Sequence, residues 1–244
     1  MNCHAIGSAL AIFAIAACIG CSSSSGRPAS GSAPVPPDQV TDFSLLYSQN
    51  CAGCHGVDGK GGAAIALANP VFLAIADDTA IRRIASNGVP GTPMSAFAQS
   101  AGGMLTEKQI DALVSGIRSW AKLSVLGGQT PPPYTAAAPG DPQRGAAVYR
   151  TYCSACHGAD GRGGSKASSI VNGSYLALVS DEELRTIVIA GRPDLGSPDW
   201  RGDVEGRPIS TQEVSDLVAW LSSQRPKFPG QPYSTAAMKR GGLQ

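Results

Sequence analysis

The stretch Cys-Ala-Gly-Cys-His at residues 51–55 recurs as Cys-Ser-Ala-Cys-His at residues 153–157, and these two pentapeptides decide the fold. Each has the spacing of a c-type haem attachment site. The two thiols can form thioethers to the two vinyl groups of one porphyrin, and the histidine then binds the iron from below. A lone Cys-x-x-Cys would fit zinc or redox chemistry as well, but the added histidine and the repetition favour two covalently attached haems. The predicted thioether residues are Cys51, Cys54, Cys153 and Cys156, and the predicted iron ligands are His55 and His157.

The composition argues against a nucleic-acid-binding protein and against a disulfide-stabilised fold. A chain of 244 residues allows one or two domains. The net charge is +1, with acids and bases spread over both halves, so no basic face for nucleic acid is predicted. The three cysteines outside the motifs, Cys3, Cys18 and Cys21, lie in or beside an N-terminal apolar stretch. No cysteine pair therefore remains in the folded part for a structural disulfide.

Residues 5–20 form an apolar run without a charge, which is short for a membrane-spanning helix and typical of a secretory signal. Cys21 and four serines follow, and the whole resembles a bacterial lipoprotein signal whose lipid is carried on Cys18 or Cys21. Residues 15–18 fit the lipobox best, whereas residues 18–21 have the more typical serine tail. No Lys or Arg precedes the run, so either the signal is atypical or the true start of the chain lies elsewhere. The alternative to a lipoprotein signal is an ordinary cleaved signal or an uncleaved anchor. Both versions predict export to the periplasmic side of a bacterial membrane.

The rest of the chain is an internal repeat separated by stretches rich in Pro, Ala, Gly and Ser. Tyr47 and Tyr149 each precede a motif by four residues, and Gly-x-Pro at residues 88–90 corresponds to residues 191–193. Pro-rich stretches of this kind act as semi-rigid spacers. We divide the chain into a signal peptide (1–21), a flexible tether (22–39), a first domain (40–122), a linker (123–140), a second domain (141–228) and a C-terminal tail (229–244).

Both repeats end in a stretch whose apolar residues recur with helical spacing, and strand signals are weak throughout. The predicted fold class is all-α. The apolar faces comprise Ile110, Leu113, Val114 and Ile117 in the first repeat and Val214, Leu217, Val218 and Leu221 in the second. Each stretch is predicted to begin with a capping box, formed by Thr106 with Gln109 and by Ser210 with Glu213.

A helix that ends in Cys-x-x-Cys-His, a Gly-rich loop, a middle helix, a Pro-flanked loop and a last helix together resemble a class I cytochrome c domain. The resemblance covers about residues 40–122 and again about 141–225. It implies two tandem domains joined by the Pro-rich linker, each with its first and last helices crossing and a haem enclosed between helices. Domains this small have thin cores, which a porphyrin would complete.

The resemblance also implies a methionine ligand on the loop before the last helix. Met94 occupies that place in the first domain, and Met104, the competitor, is expected to pack against the cap of the last helix instead. Counting from the shared Gly-x-Pro, Met94 aligns with Ser197, whose hydroxyl is a poor iron ligand. The second haem iron is therefore expected to be five-coordinate or water-bound. The alternatives left open are Met238 folding back from the tail, Lys166, Lys227, Lys239 or a ligand from a partner.

These features favour an electron carrier, a membrane-tethered periplasmic di-haem cytochrome. Its expected partners are redox proteins: a quinol-oxidising complex, a terminal oxidase or a periplasmic dehydrogenase. The alternative is a haem enzyme, a peroxidase or small-gas reductase, that uses an open second haem. That alternative lacks a distal histidine for proton transfer, and Asp194 or Asp199 would be unusual bases. A third hypothesis, a haem sensor, lacks an accompanying signalling segment.

Overall fold

The computed structural model describes residues 34–202, 204 and 206–226 of the chain. The predicted signal peptide, most of the tether, the C-terminal tail and the residues Cys18, Cys21, Lys227, Met238 and Lys239 lie outside this part. From Pro37 onward the described residues form one compact unit. No helix within the described ranges combines the length and the apolar character needed to cross a bilayer.

The described residues form α-helices and short 3₁₀ turns, with only isolated β-bridges, so the prediction of an all-α fold is confirmed. The helices fall into two sets in the same order, as expected for tandem cytochrome c domains. The first set is α1 (Phe43–Asn50), α2 (Ala52–His55), α3 (Pro70–Ile75), α4 (Asp78–Asn87) and α5 (Glu107–Ser119), and the second is α6 (Pro142–Tyr152), α7 (Ser154–His157), α8 (Gly173–Leu178), α9 (Asp181–Ala190) and α10 (Thr211–Ser223).

Capping boxes begin the last helix of each set, as predicted. The Thr106 hydroxyl accepts from the backbone N–H of Gln109, and the Gln109 side chain accepts from the backbone N–H of Thr106 at 3.0 Å. Ser210 and Glu213 repeat this exchange at the start of α10. Because each box satisfies two N–H groups that the first helical turn leaves free, the start of α5 and of α10 is well defined.

The first and last helices of each domain cross closely. In the first domain the Phe43 and Tyr47 rings of α1 pack edge-on against Trp120, the residue that caps α5. In the second, Tyr149 of α6 stacks on Trp220 of α10, with ring centroids 4.4 Å apart. These aromatic contacts complete the apolar side of each crossing.

A glycine sets the closeness of the second crossing. A Cβ added at Gly145 would lie 2.0 Å from the backbone oxygen of Asp216, so only glycine allows α6 and α10 to approach this far. The buried Asp216 carboxylate accepts from Arg144 Nε at 2.8 Å and from the backbone N–H of Asp141 at 2.8 Å. The Arg144 contact holds the pKa of Asp216 down at about 2, and the carboxylate stays charged at the crossing.

The Pro-rich linker is bound to the second domain along part of its length. The buried Arg185 guanidinium of α9 donates to the backbone oxygens of Pro133 and Tyr134 at 2.9–3.0 Å. The Tyr134 hydroxyl donates to Glu182 at 2.5 Å, and Glu182 also accepts from Arg83 of the first domain at 3.0 Å. These contacts join both domains to the middle of the linker.

Candidate haem sites

Each haem motif folds as a single short helical turn that follows directly from the preceding helix. The Cys51 backbone N–H donates to Tyr47 at the end of α1, and the Cys51 carbonyl accepts from the N–H groups of Cys54 at 3.2 Å and His55 at 3.0 Å. The second motif repeats these bonds around Cys153. The two thiols of each motif are thus placed one helical turn apart, with the histidine directly after them.

Both motif histidines are oriented by the same kind of hydrogen bond. Nδ1 of His55 lies 2.8 Å from the backbone oxygen of Ile65, and Nδ1 of His157 lies 2.7 Å from that of Ser168. A carbonyl oxygen can only accept, so Nδ1 carries a proton in each ring, and Nε2 of the neutral ring is the nitrogen that can bind a metal. Burial lowers the pKa of His55, which favours the neutral, ligating form.

The first thiol of each motif is in an apolar setting. Burial, with a smaller contribution from the second cysteine of the motif, raises the pKa of Cys51 and of Cys153 to about 11. Catalytic and disulfide-exchanging cysteines have lowered pKa values instead. None of the four motif cysteines is paired in a disulfide, so all four sulfur atoms are available to form thioethers.

A tyrosine before each motif and a glycine after it hold the loop that follows the motif. The Tyr47 hydroxyl donates to the backbone oxygen of Gly56 at 3.0 Å, and Tyr149 makes the same bond to Gly158, so each tyrosine fixes the turn after its motif. A Cβ at Gly62 would lie 2.2 Å from the Cys54 carbonyl oxygen. Glycine is therefore required where the following loop packs on the motif. The spacing of the tyrosines is visible in the sequence, but the bond each one makes is not.

The loops that precede the last helices place Met94 and Ser197 at equivalent positions. In the first distal loop (residues 88–94) the Val89 N–H donates to the Met94 carbonyl at 2.9 Å. In the second distal loop (residues 191–197) the Arg192 N–H donates to the Ser197 carbonyl at 3.1 Å. Both side chains are half-buried. The hydrogen bonds agree with the alignment made by counting from Gly-x-Pro.

The prediction for Met104 is wrong. Its side chain is 81% exposed and does not pack against the cap of α5. The chain places Met104 after Gly102 and Gly103, where the backbone turns before the Thr106 capping box and leaves the side chain on the outside. Lys166, one alternative ligand for the second haem, is also exposed.

The donor set fits a covalently attached haem better than a bare metal ion. Each site provides two thiols spaced for the vinyl groups and one histidine whose Nε2 is free. Within residues 34–202, 204 and 206–226, no group of three or more His, Cys, Asp or Glu side chains converges as a metal site would require. The two cysteines and the histidine of each motif are the donor set that fits a porphyrin carrying its own iron.

A known protein family matches both halves of the chain. The profile of the family "Cytochrome C oxidase, cbb3-type, subunit III" matches residues 38–115 and 140–221. The cbb3-type cytochrome c oxidase subunit CcoP of Azospirillum sp. is 32% identical over 128 residues, which make up 48% of this chain and 38% of that protein. The chain therefore spans well under half the length of this relative.

Solved structures that resemble the chain are more distant. A reducing HAO-like protein complex from Kuenenia stuttgartiensis shares 20% identity at a TM-score of 0.43, covering 78% of this chain and 99% of that one. Thiosulfate dehydrogenase (TsdBA) from Marichromatium purpuratum shares 22% identity at a TM-score of 0.29, covering 86% and 47%. The dihydro-haem d1 dehydrogenase NirN shares 29% identity at a TM-score of 0.29, covering 38% and 18%.

Proposed function

The chain belongs to the family of cbb3-type cytochrome c oxidase subunit III, and from this premise we propose that it is a di-haem c-type cytochrome that carries single electrons in a respiratory chain. The observation that carries the proposal is the matched pair of histidines, each held through Nδ1 by a backbone carbonyl at 2.7–2.8 Å beside two free thiols. A covalently attached haem supplies one electron per iron as the metal alternates between its ferrous and ferric states.

The residues of the two sites have distinct roles in this proposal. Cys51, Cys54, Cys153 and Cys156 attach the porphyrins, and His55 and His157 bind the irons. Met94 is the proposed second axial ligand of the first haem, because it lies on the loop before the last helix of the first domain. Thioether ligation there would raise the potential of that haem. Ser197 leaves the second iron without a strong protein ligand. Two haems of different potential in one chain give an electron a preferred direction.

The proposed partners are a terminal oxidase as electron acceptor, and a quinol-oxidising complex or a periplasmic dehydrogenase as donor. Similarity to the CcoP subunit of an oxidase supports the acceptor. The enzyme alternative is not favoured, because Asp194, a candidate proton acceptor, is paired with Arg192 at 2.8 Å. That pairing lowers the pKa of Asp194, which makes its carboxylate a weaker base than usual.

Spectropotentiometric titration of the full chain tests the function. We expect two haems per chain by pyridine haemochrome assay and two one-electron steps at different potentials. Replacing Cys153 and Cys156 by Ala should leave one haem and one step, and replacing Cys51 and Cys54 should leave the other. A single haem in the wild type, or rapid peroxide turnover by the purified protein, would show that the chain is not this carrier.

We further propose that the protein is held at the periplasmic face of the membrane by a lipid on Cys18, or otherwise on Cys21. The apolar run at residues 5–20 and the serines after Cys21 support this. Detergent phase partitioning should place the wild type in the detergent phase, and serine at the lipidated cysteine should move it to the aqueous phase. Wild-type protein found wholly in the aqueous phase excludes the lipid anchor.

A further inference from the structure

The second distal loop lies directly on the loop that follows the first haem motif. Nη2 of Arg192 donates to the backbone oxygen of Gly62 at 2.8 Å, and the backbone N–H of Gly61 donates to Oδ2 of Asp194 at 2.9 Å. Gly62 in turn packs on the backbone of Cys54 and His55. Arg192 therefore contacts a residue that packs on the first haem motif, and Asp194 contacts the residue before it, although both belong to the second domain.

The two side chains form a rigid and largely desolvated pair. Arg192 and Asp194 are joined by Nε–Oδ1 at 2.9 Å and Nη2–Oδ2 at 2.8 Å, and their side chains are only 10% and 12% exposed. A bidentate guanidinium–carboxylate pair fixes both groups in direction as well as distance. Charges with so little solvent around them are weakly screened, so they act strongly on their surroundings.

Arg192 also belongs to the frame of the second haem site. Its backbone N–H and carbonyl exchange hydrogen bonds with Ser197 at 3.1 and 2.9 Å, which closes the second distal loop. One residue thus contacts the frames of both sites. The positions equivalent to Arg192 and Asp194 in the first repeat are Val89 and Gly91, which cannot form such a pair. The Arg192–Asp194 pair therefore occurs in the second repeat and has no counterpart in the first.

Asn69 makes a further hydrogen bond between the two domains, next to the second distal loop. Its carboxamide oxygen accepts from Val71 and caps α3 of the first domain, while Nδ2 donates to the backbone oxygen of Ala190 at 2.8 Å. Ala190 is the last residue of α9 and directly precedes the second distal loop. The loop is thus tied to the first domain at its start by Asn69 and in its middle by Arg192 and Asp194.

We propose that Arg192 and Asp194 form an interdomain clamp that holds the second distal loop on the first haem motif and sets the reduction potential of the first haem. The proposal rests on the two-haem function above and goes beyond it by naming the residues that join the sites. The Arg192 charge near the first haem disfavours the more positive ferric state, and the Asp194 charge favours it. The two residues are positioning residues, because neither contacts the iron in this assignment.

Paired variants of the full chain test the clamp by spectropotentiometry. Arg192→Gln leaves the Asp194 charge uncompensated and should lower the potential of the first haem, whereas Asp194→Ala leaves the Arg192 charge and should raise it. A merely structural disturbance would shift both variants in the same direction. The control is Arg207→Gln, which removes a charge paired with Glu213 inside the second domain and should leave the first haem unchanged.

Hydrogen–deuterium exchange gives a readout that does not depend on haem. The Gly61 N–H should exchange faster in Asp194→Ala than in the wild type or in Arg207→Gln. Opposite potential shifts with faster exchange support the clamp. Two haems per chain with unshifted potentials, or with shifts in one direction, overturn it and leave the two-haem function standing. If the wild type holds fewer than two haems, the two-haem function is overturned. The clamp is judged in that case by hydrogen exchange alone, and unchanged exchange of the Gly61 N–H in Asp194→Ala overturns it.

Discussion

Replacing Ser197 by Met is expected to abolish carbon monoxide binding at the second haem. The reduced wild type should bind about one equivalent, at the haem held by His157, because the second distal loop presents a hydroxyl where the first presents the Met94 thioether. One closing hydrogen bond is equivalent in the two loops, from Val89 N–H to the Met94 carbonyl and from Arg192 N–H to the Ser197 carbonyl. A methionine at position 197 would therefore occupy the position that Met94 has in the first domain. Optical titration of the reduced protein with carbon monoxide measures the stoichiometry.

The matched control is Ser197→Ala, which removes the hydroxyl without adding sulfur and should still bind one equivalent. It separates the gain of a thioether from the loss of the serine. Stoichiometry near zero in the wild type would contradict the open site and indicate a ligand from elsewhere in the chain. Met238→Ala would then identify the tail as that ligand if the variant gained binding, and Lys166, Lys227 and Lys239 would be the next to change.

Met94→Ala is expected to lower the reduction potential of the first haem by at least ~59 mV, which is a tenfold change in the one-electron equilibrium. The physical reason is that a thioether stabilises the ferrous iron relative to weaker ligands. The weak near-infrared band of sulfur-to-iron ligation should disappear together with the high potential. Spectropotentiometry and near-infrared absorption of the oxidised protein make the two measurements.

Met104→Ala is the control for this change. Its side chain is exposed and lies on the same stretch between α4 and α5, so its removal should alter neither the potential nor the band. If the band persisted in Met94→Ala and vanished in Met104→Ala, the assignment of the ligand would be reversed. Loss of the band in both variants would indicate a disturbance of the loop and not of a ligand.

Local patterns in the sequence were sufficient for the parts of the fold that repeat. The capping boxes at Thr106 and Ser210 and the apolar faces of α5 and α10 depend on neighbours three or four residues away, which periodicity detects. The correspondence of Met94 with Ser197 could be counted from Gly-x-Pro. The prediction for Met104 is wrong because closeness in sequence to the capping box of α5 does not bury a side chain, and single exposed apolar residues are common.

The junction between the domains could not be predicted in the same way. The bond from Arg192 to Gly62 joins residues 130 positions apart and occurs in one repeat only, so neither periodicity nor self-similarity indicates it. The sequence suggests for Asp194 only the role of an unusual base, whereas the structure pairs it with Arg192 and with the backbone N–H of Gly61. The composition of the linker predicts that it is stiff but not which residues bind it. Arg185, the buried residue that binds Pro133 of the linker, is about 50 residues away in the sequence.

The binding of the linker by Arg185 has a consequence for how strong the junction must be. Pro133 and Tyr134 are held on α9, so the linker keeps the first domain close to the second. The effective concentration of one domain near the other reaches the millimolar range for short connections. The Arg83–Glu182 ion pair and the hydrogen bonds of Asn69 and Arg192 then form within one molecule, without the loss of freedom that joining two separate proteins would cost. Domain fusion in this chain thus replaces affinity by proximity.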